Sequence, residues 1–161
     1  ICNGFQALLK LGLLTTGKIC EVDDTFPTLT YNLIHRHQSR YVTTRVASVR
    51  SPWMTLCKPD ETYHVAVSHG EGRFAASDER ILEMFRAGQI ATQYVDTHGR
   101  PYMDIEFNPN GSVQAIEGIF SPDGRIFGKM GHIERSGANI AKNIPGEKFM
   151  PVFESGAAYY K

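Results

Sequence analysis

Phe5, Leu8, Leu9 and Leu13 recur at three- and four-residue spacing, which predicts a helix over residues 3–14 that the Thr15-Thr16-Gly17 cluster stops. Residues 41–50, rich in Val and Thr, and residues 62–68 read as strands. Ser77-Asp78 then caps a second helix, with Ile81, Leu82 and Phe85 expected inward and Gly88 as its stop. Residues 89–95 predict a strand closed by the Asp96-Thr97-His98-Gly99 turn. Turn formers are too dense in Phe107-Asn108-Pro109-Asn110-Gly111-Ser112 for anything but a loop. Residues 113–120 and 125–130 follow as two strands joined by Ser121-Pro122-Asp123-Gly124, a type I turn ending in glycine. Residues 136–143 predict a helix broken at Ile144-Pro145-Gly146, and residues 151–160 a terminal one. With no repeat, low-complexity stretch or linker, residues 1–161 read as a single domain.

Composition adds little to this picture and excludes some function classes. At 161 residues and 42% hydrophobic content the chain can bury a core. Lysine plus arginine balance aspartate plus glutamate at 17 each, so no global field draws nucleic acid or an anionic membrane. The three cysteines, Cys2, Cys20 and Cys57, make no even disulfide framework, and the expected location is a reducing cytoplasm. No apolar run reaches the ~18 residues of a membrane span, and no secretory signal pattern opens the chain. Residues 25–59 carry no acid but hold His35, Arg36, His37, Arg40, Arg45, Arg50 and Lys58. Two readings of that strip stay open, a solvated strand face or contact with an anionic partner or neighbouring domain.

Chemistry concentrates at the two ends. Cys2 stands at the mouth of the first predicted helix, where unpaired N–H groups and the positive dipole end favour a thiolate. Gly4 lets the backbone turn sharply just after it. His132 and Glu134 are two apart, so on an extended segment they share a face, and Glu134 could fix the imidazole tautomer. His69-Gly70-Glu71-Gly72 follows a predicted strand, and its glycines allow close approach of backbone to a ligand. Cys20 and Cys57 sit beside no helix start or motif and read as small buried hydrophobes.

Cys2-Asn3-Gly4-Phe5-Gln6, His69-Gly70-Glu71-Gly72-Arg73-Phe74, Gln93-Tyr94-Val95-Asp96, Phe107-Asn108-Pro109-Asn110-Gly111-Ser112 and Gly131-His132-Ile133-Glu134-Arg135 occur in this order. Together they resemble the glutaminase domain of phosphoribosylformylglycinamidine synthase, a class I (triad) glutamine amidotransferase. The resemblance implies an α/β fold, part of a flavodoxin-like, doubly wound and mostly parallel sheet. It implies that Cys2 attacks the side-chain amide of glutamine, that His132 protonates the leaving ammonia and then activates water, and that Glu134 orients His132. The N–H of Asn3 would be one oxyanion donor, and Gln6, Ser68, His69, Gly70 and Glu71 would wall the glutamine pocket. No residue is assigned to a metal. ATP and magnesium would belong to synthase domains elsewhere, and the partners implied are glutamine and the remainder of the synthase, with neither nucleic acid nor membrane.

Two departures from the family pattern stand out. Gly131 and Ile133 flank His132 where the family has proline, which alters stiffness and leaves both functional groups in place. The family also has a stretch before the nucleophile that supplies the first strands of the sheet and a second oxyanion N–H. Its absence here makes the expected object the C-terminal portion of one amidotransferase domain, with the N-terminal strands missing and little activity alone. Two other classes compete with this reading. A papain-like thiol protease shares a Cys near the start and a His about 130 residues on, but its Cys-Gly-Ser-Cys-Trp signature is absent. A non-catalytic docking or regulatory module would use the arginine-rich strands against the synthase body.

Overall fold

The computed structural model describes residues 1–159 and residue 161. Helices α1 (Asn3–Lys10) and α2 (Leu13–Thr16) occupy the first predicted helix, which is cut in two at Gly12, where φ is +77°. Strands β1 (Thr28–Thr30), β2 (Gln38–Val46), β3 (Thr62–His69) and β4 (Arg73–Ala75) follow, then α3 (Asp78–Arg86), β5 (Ile90–Tyr94), β6 (Ile116–Phe120), β7 (Phe127–Lys129) and α4 (Val152–Tyr159). Five strands form the main sheet in the order β3-β2-β5-β6-β7, and β1 pairs with β4 in a small separate ribbon.

Every pair in both sheets is antiparallel. The α/β class holds, but the doubly wound, mostly parallel arrangement is not what the described strands form. A parallel pair needs a crossover connection. Here β2 to β3, β5 to β6 and β6 to β7 are each joined without an α-helix, so neighbours return antiparallel.

Both faces of the sheet are covered nonetheless. Ile90 and Ile119 join Phe5, Leu9, Leu14, Ile81 and Met84 on the side of α1, α2 and α3, whereas Ala91 and Phe120 join Val42, Val65, Val67 and Val152 on the side of α4. Neighbouring residues thus enter opposite cores, which is why β5 and β6 are buried at every position. In β2 and β3 burial alternates instead, with Val42, Thr44, Val46, Tyr63, Val65 and Val67 inward.

Three expectations need correction. In α3 it is Ile81 and Met84 that are buried, while Leu82 and Phe85 are 49% and 40% exposed, because the cap at Ser77 sets the helix rotation. No helix forms over residues 136–143: Ile140, its one large apolar residue, is exposed, and nothing offers that segment a face to bury. Residues 113–115 form a turn of 3₁₀ helix ahead of β6, with Gln114 and Ala115 at φ of +50° and +55°. The terminal helix is present as α4, and residue 160, at the end of the predicted span, lies outside the described residues.

Candidate functional site

Cys2 caps α1 with φ 52° and ψ −111°, a left-handed geometry that a non-glycine residue holds only against strain of order 1–3 kcal/mol. Three backbone bonds over-determine it. The N–H of Cys2 donates to the Lys129 carbonyl at 2.8 Å, Gly4 N–H to Ile1 at 2.9 Å, and Gln6 N–H to the Cys2 carbonyl at 3.2 Å. The turn lifts the thiol out of the helix, where Sγ lies 3.8 Å from the Ser68 carbonyl. Asn3 opens the first helical turn, so its N–H faces outward with no helix acceptor.

β7 ends at Lys129 and delivers His132 two residues beyond Met130. The His132 N–H donates to the Ala66 carbonyl at 2.8 Å, and the two residues form an isolated antiparallel bridge. Its Nδ1 lies 2.5 Å from Oε1 of Glu134. The ring is 13% exposed and the carboxylate 43%. Burial works against the Glu134 charge, but the His132 hydrogen bond, the local backbone and Arg135 outweigh it and hold the carboxyl below its usual range. With Nδ1 so engaged, Nε2 is the nitrogen left for proton transfer.

Ala66 and Ser68 lie two apart on β3 and so share a face, about 7 Å from one another along the strand. One strand therefore receives both the backbone of His132 and the thiol of Cys2. Beside them Cys2, Asn3, Gln6, His69, Gly70 and Glu71 line an open cleft of about 310 Å³. Gln6 Nε2 donates to Oε2 of Glu71 at 2.9 Å across it. Ser68 stands next to this cleft with its hydroxyl 3.0 Å from His37 Nε2. The structure thus gathers Cys2, Asn3, Gln6, His69, Gly70 and Glu71 around one cleft with Ser68 beside it, while His132, which carries Glu134, joins the same strand through its backbone at Ala66 and does not line the cleft.

His69 is the buried floor. Burial, with the nearby His37 second, pushes its pKa down to about 4, so the ring is neutral at pH 7. Its Nδ1 is 3.1 Å from Oδ1 of Asn32, and its Nε2 has no hydrogen-bond partner among the described residues. A methyl group at Gly72 would sit 2.6 Å from the ring, which is why that position has no side chain.

Asn32, fully buried, was not anticipated. Its Nδ2 donates to the carbonyls of His69 and Arg36, its Oδ1 accepts from Gly72 N–H at 3.3 Å, and its own N–H reaches the Gly70 carbonyl at 2.9 Å. The Asn108-to-Ser112 loop braces the same segment from the other side. Asn110 Nδ2 donates to the Gly72 carbonyl at 2.6 Å and to the Tyr94 hydroxyl at 3.1 Å, and Phe74 N–H donates to Oγ of Ser112 at 2.9 Å. Glu117 and Lys129, a buried ion pair at 3.1 Å, were missed as well. The signal was Glu117 and Lys129, opposite in sign, each set among apolar and glycine residues inside a predicted strand.

The basic strip is largely spent inside the chain. Arg40 donates to the carbonyls of Ile105 and Glu106, Arg45 pairs with Asp60 at 2.7 Å and reaches Gln93, and Arg50 donates to Ala87 and Pro122. Among the described residues no cluster of His, Cys, Asp or Glu stands where it could hold a metal. Nor is any helix among them long and apolar enough to cross a membrane.

The chain is similar to known proteins over nearly its whole length. The family profile of the CobB/CobQ-like glutamine amidotransferase domain matches residues 1–160. A phosphoribosylformylglycinamidine synthase from Drosophila melanogaster is 38% identical over 136 residues, 84% of this chain and 10% of that protein. The synthase subunit PurQ of Aquifex aeolicus is 34% identical over 146 residues, 91% of this chain and 59% of the subunit. The solved structure of PurLQS from Thermotoga maritima superposes with a TM-score of 0.70 at 26% identity, over 99% of this chain and 59% of that one. This chain therefore spans about three fifths of the PurQ relative and a tenth of the insect synthase. A cysteine lifted by a strained turn, a histidine fixed by a carboxylate, and a family match from end to end lead to one conclusion: the chain belongs to the CobB/CobQ-like glutamine amidotransferase family.

Proposed function

We propose that this chain carries the glutaminase centre of a phosphoribosylformylglycinamidine synthase. The observation that carries the reading is the 2.5 Å contact of His132 with Glu134, joined through β3 to the strained turn that presents Cys2. In this reading His132 takes the thiol proton and the Cys2 sulfur attacks the side-chain amide carbon of glutamine. The resulting oxyanion is met by the N–H of Asn3, and such a donor is typically worth about 10²–10³ in rate. His132 then gives its proton to the departing ammonia, leaving a γ-glutamyl thioester on Cys2. Water deprotonated by His132 attacks that thioester and releases glutamate and free thiol. Glu134 stabilises the imidazolium formed in each half and keeps Nε2 toward the reaction.

Glutamine would lie in the cleft lined by Gln6, His69, Gly70 and Glu71, with Ser68 beside it. The ammonia would be used by the remainder of the synthase, where ATP and magnesium serve the amidation of formylglycinamide ribonucleotide. The relatives named as synthase and as synthase subunits support that partner, as does the likeness to a PurLQS structure. A cytoplasmic location follows from the same reading.

The test is Cys2→Ala in the complete gene product with its synthase partner. Glutamine-dependent synthesis should vanish and synthesis from added ammonia should persist. Equal loss of both would overturn the assignment.

A further inference from the structure

Glu117 on β6 and Lys129 on β7 face each other with side chains 0% and 2% exposed. Buried ion pairs add little net stability compared with apolar residues of the same volume, so what these atoms hold in place is the informative part. Oε1 of Glu117 accepts the N–H of Gly131 at 2.5 Å, and Oε2 accepts the Thr92 hydroxyl. Gly131 immediately precedes His132. The Lys129 ammonium reaches the Gly131 carbonyl at 3.5 Å, while the Lys129 carbonyl accepts the N–H of Cys2.

The pairing register of β5 with β6 shifts on either side of Thr92, and such bulges re-aim side chains beside functional sites. The space is also full. A methyl group on Gly131 would lie 2.9 Å from the Glu117 carboxylate, 3.1 Å from the Lys129 ammonium and 2.6 Å from Val65.

We propose that Glu117 and Lys129 form a positioning device that sets the Gly131-His132 peptide at a fixed height relative to the strand end anchoring Cys2. The proposal rests on the reading of Cys2 and His132 as nucleophile and base. Neither Glu117 nor Lys129 lines the glutamine cleft, so both act through the backbone of the reacting residues. Their loss therefore lowers kcat and leaves KM for glutamine nearly unchanged.

Two charge-free double variants of the complete gene product separate positioning from packing. Glu117→Gln with Lys129→Met keeps an oxygen for the Gly131 N–H, and its amide can donate to Thr92. Glu117→Leu with Lys129→Met removes that acceptor. Neither leaves a charge unpaired, so both should fold. The Gln/Met protein should keep kcat within about 3-fold of wild type, whereas the Leu/Met protein should lose about 10-fold or more, as small misplacements of a catalytic group do. KM for glutamine should move by less than about 3-fold in both.

A Leu/Met protein with normal kcat would overturn the proposal, and so would a Gln/Met protein as slow as the Leu/Met one. Should either double variant fail to fold, Thr92→Val leaves both charges and removes only the hydroxyl on the carboxylate. It should lower kcat without raising KM, and unchanged kcat would overturn the proposal. Cys2→Ala controls for the underlying assignment. Glutamine hydrolysis surviving in that variant would overturn both, whereas a normal Leu/Met protein overturns the positioning role alone.

Discussion

The N–H of Cys2 donates to the carbonyl of Lys129 at 2.8 Å, and Lys129 stands three residues ahead of His132, so the proposed nucleophile and base hang from one strand end. The separation of their backbones is then set by hydrogen bonds on β3 and β7. The 2.5 Å contact from His132 to Glu134 leaves one ring nitrogen for chemistry. Four consequences can be measured.

Glu134→Gln keeps size and a hydrogen-bonding oxygen but removes the charge that stabilises the imidazolium. In the complete gene product it should lower kcat for glutamine hydrolysis by about 10²-fold or more, within the range of general acid–base contributions. KM should stay close to wild type. Steady-state kinetics over a range of glutamine concentrations would check this, and wild-type kcat would refute the role given to Glu134.

Gln6 and Glu71 meet across the cleft at 2.9 Å without touching His132. Replacing either with alanine should raise KM for glutamine by about 10-fold and change kcat far less, the mark of lost ground-state binding. A fall in kcat at constant KM would move these residues from the pocket wall to the chemistry.

His69 carries a pH signature in stability. Its pKa falls from 6.5 in the unfolded chain to about 4 in the fold, so between these values the unfolded chain binds more protons. The stability is fully present above pH 6.5 and is lost as pH falls toward 4, by about 3 kcal/mol in all. Denaturant unfolding between pH 4.5 and 7.5 should show this slope, and His69→Asn should flatten it. A slope of equal size in His69→Asn would assign the acid sensitivity to other groups.

Asn32→Ala should strip partners from His69 Nδ1, from the Gly72 N–H and from the His69 carbonyl together. At about 1–3 kcal/mol for each unsatisfied buried group, partly offset by entering water, we expect a loss of 2–4 kcal/mol. KM for glutamine should rise because the glycine loop loosens. An unchanged melting temperature would show that the loop is held mainly by Asn110 and Ser112.

Much of this was legible in the chain because local chemistry decided it. The Ser77 cap and the left-handed Gly88 bound α3 as anticipated, and Ser121-Pro122-Asp123-Gly124 makes its turn, with Gly124 N–H on the Ser121 carbonyl at 2.9 Å. The His132–Glu134 contact forms, but not on the extended segment anticipated: Arg135 N–H donates to the His132 carbonyl at 3.2 Å, and this turn brings the carboxylate to Nδ1. Beyond the pair β6 and β7, which the tight turn from Ser121 to Gly124 joins, strand direction was not legible, because hydrophobic pattern reports burial and says nothing of which neighbour a strand meets. Nor was the orientation of Leu82 and Phe85, since Met84 competes for the same core and the cap decides the rotation. Asn32, Glu117 and Lys129 went unseen because their partners are far away in sequence, and a lone polar residue in an apolar stretch shows no partner until the strands are paired.

The central claim is that Cys2 forms a covalent bond with glutamine. Treating the complete gene product with a glutamine-analogue electrophile and mapping the adduct by peptide mass tests it most directly. One equivalent on Cys2, prevented by excess glutamine and slowed in His132→Ala, is the predicted result. Active enzyme that is labelled at Cys20 or Cys57 while Cys2 stays free would contradict it.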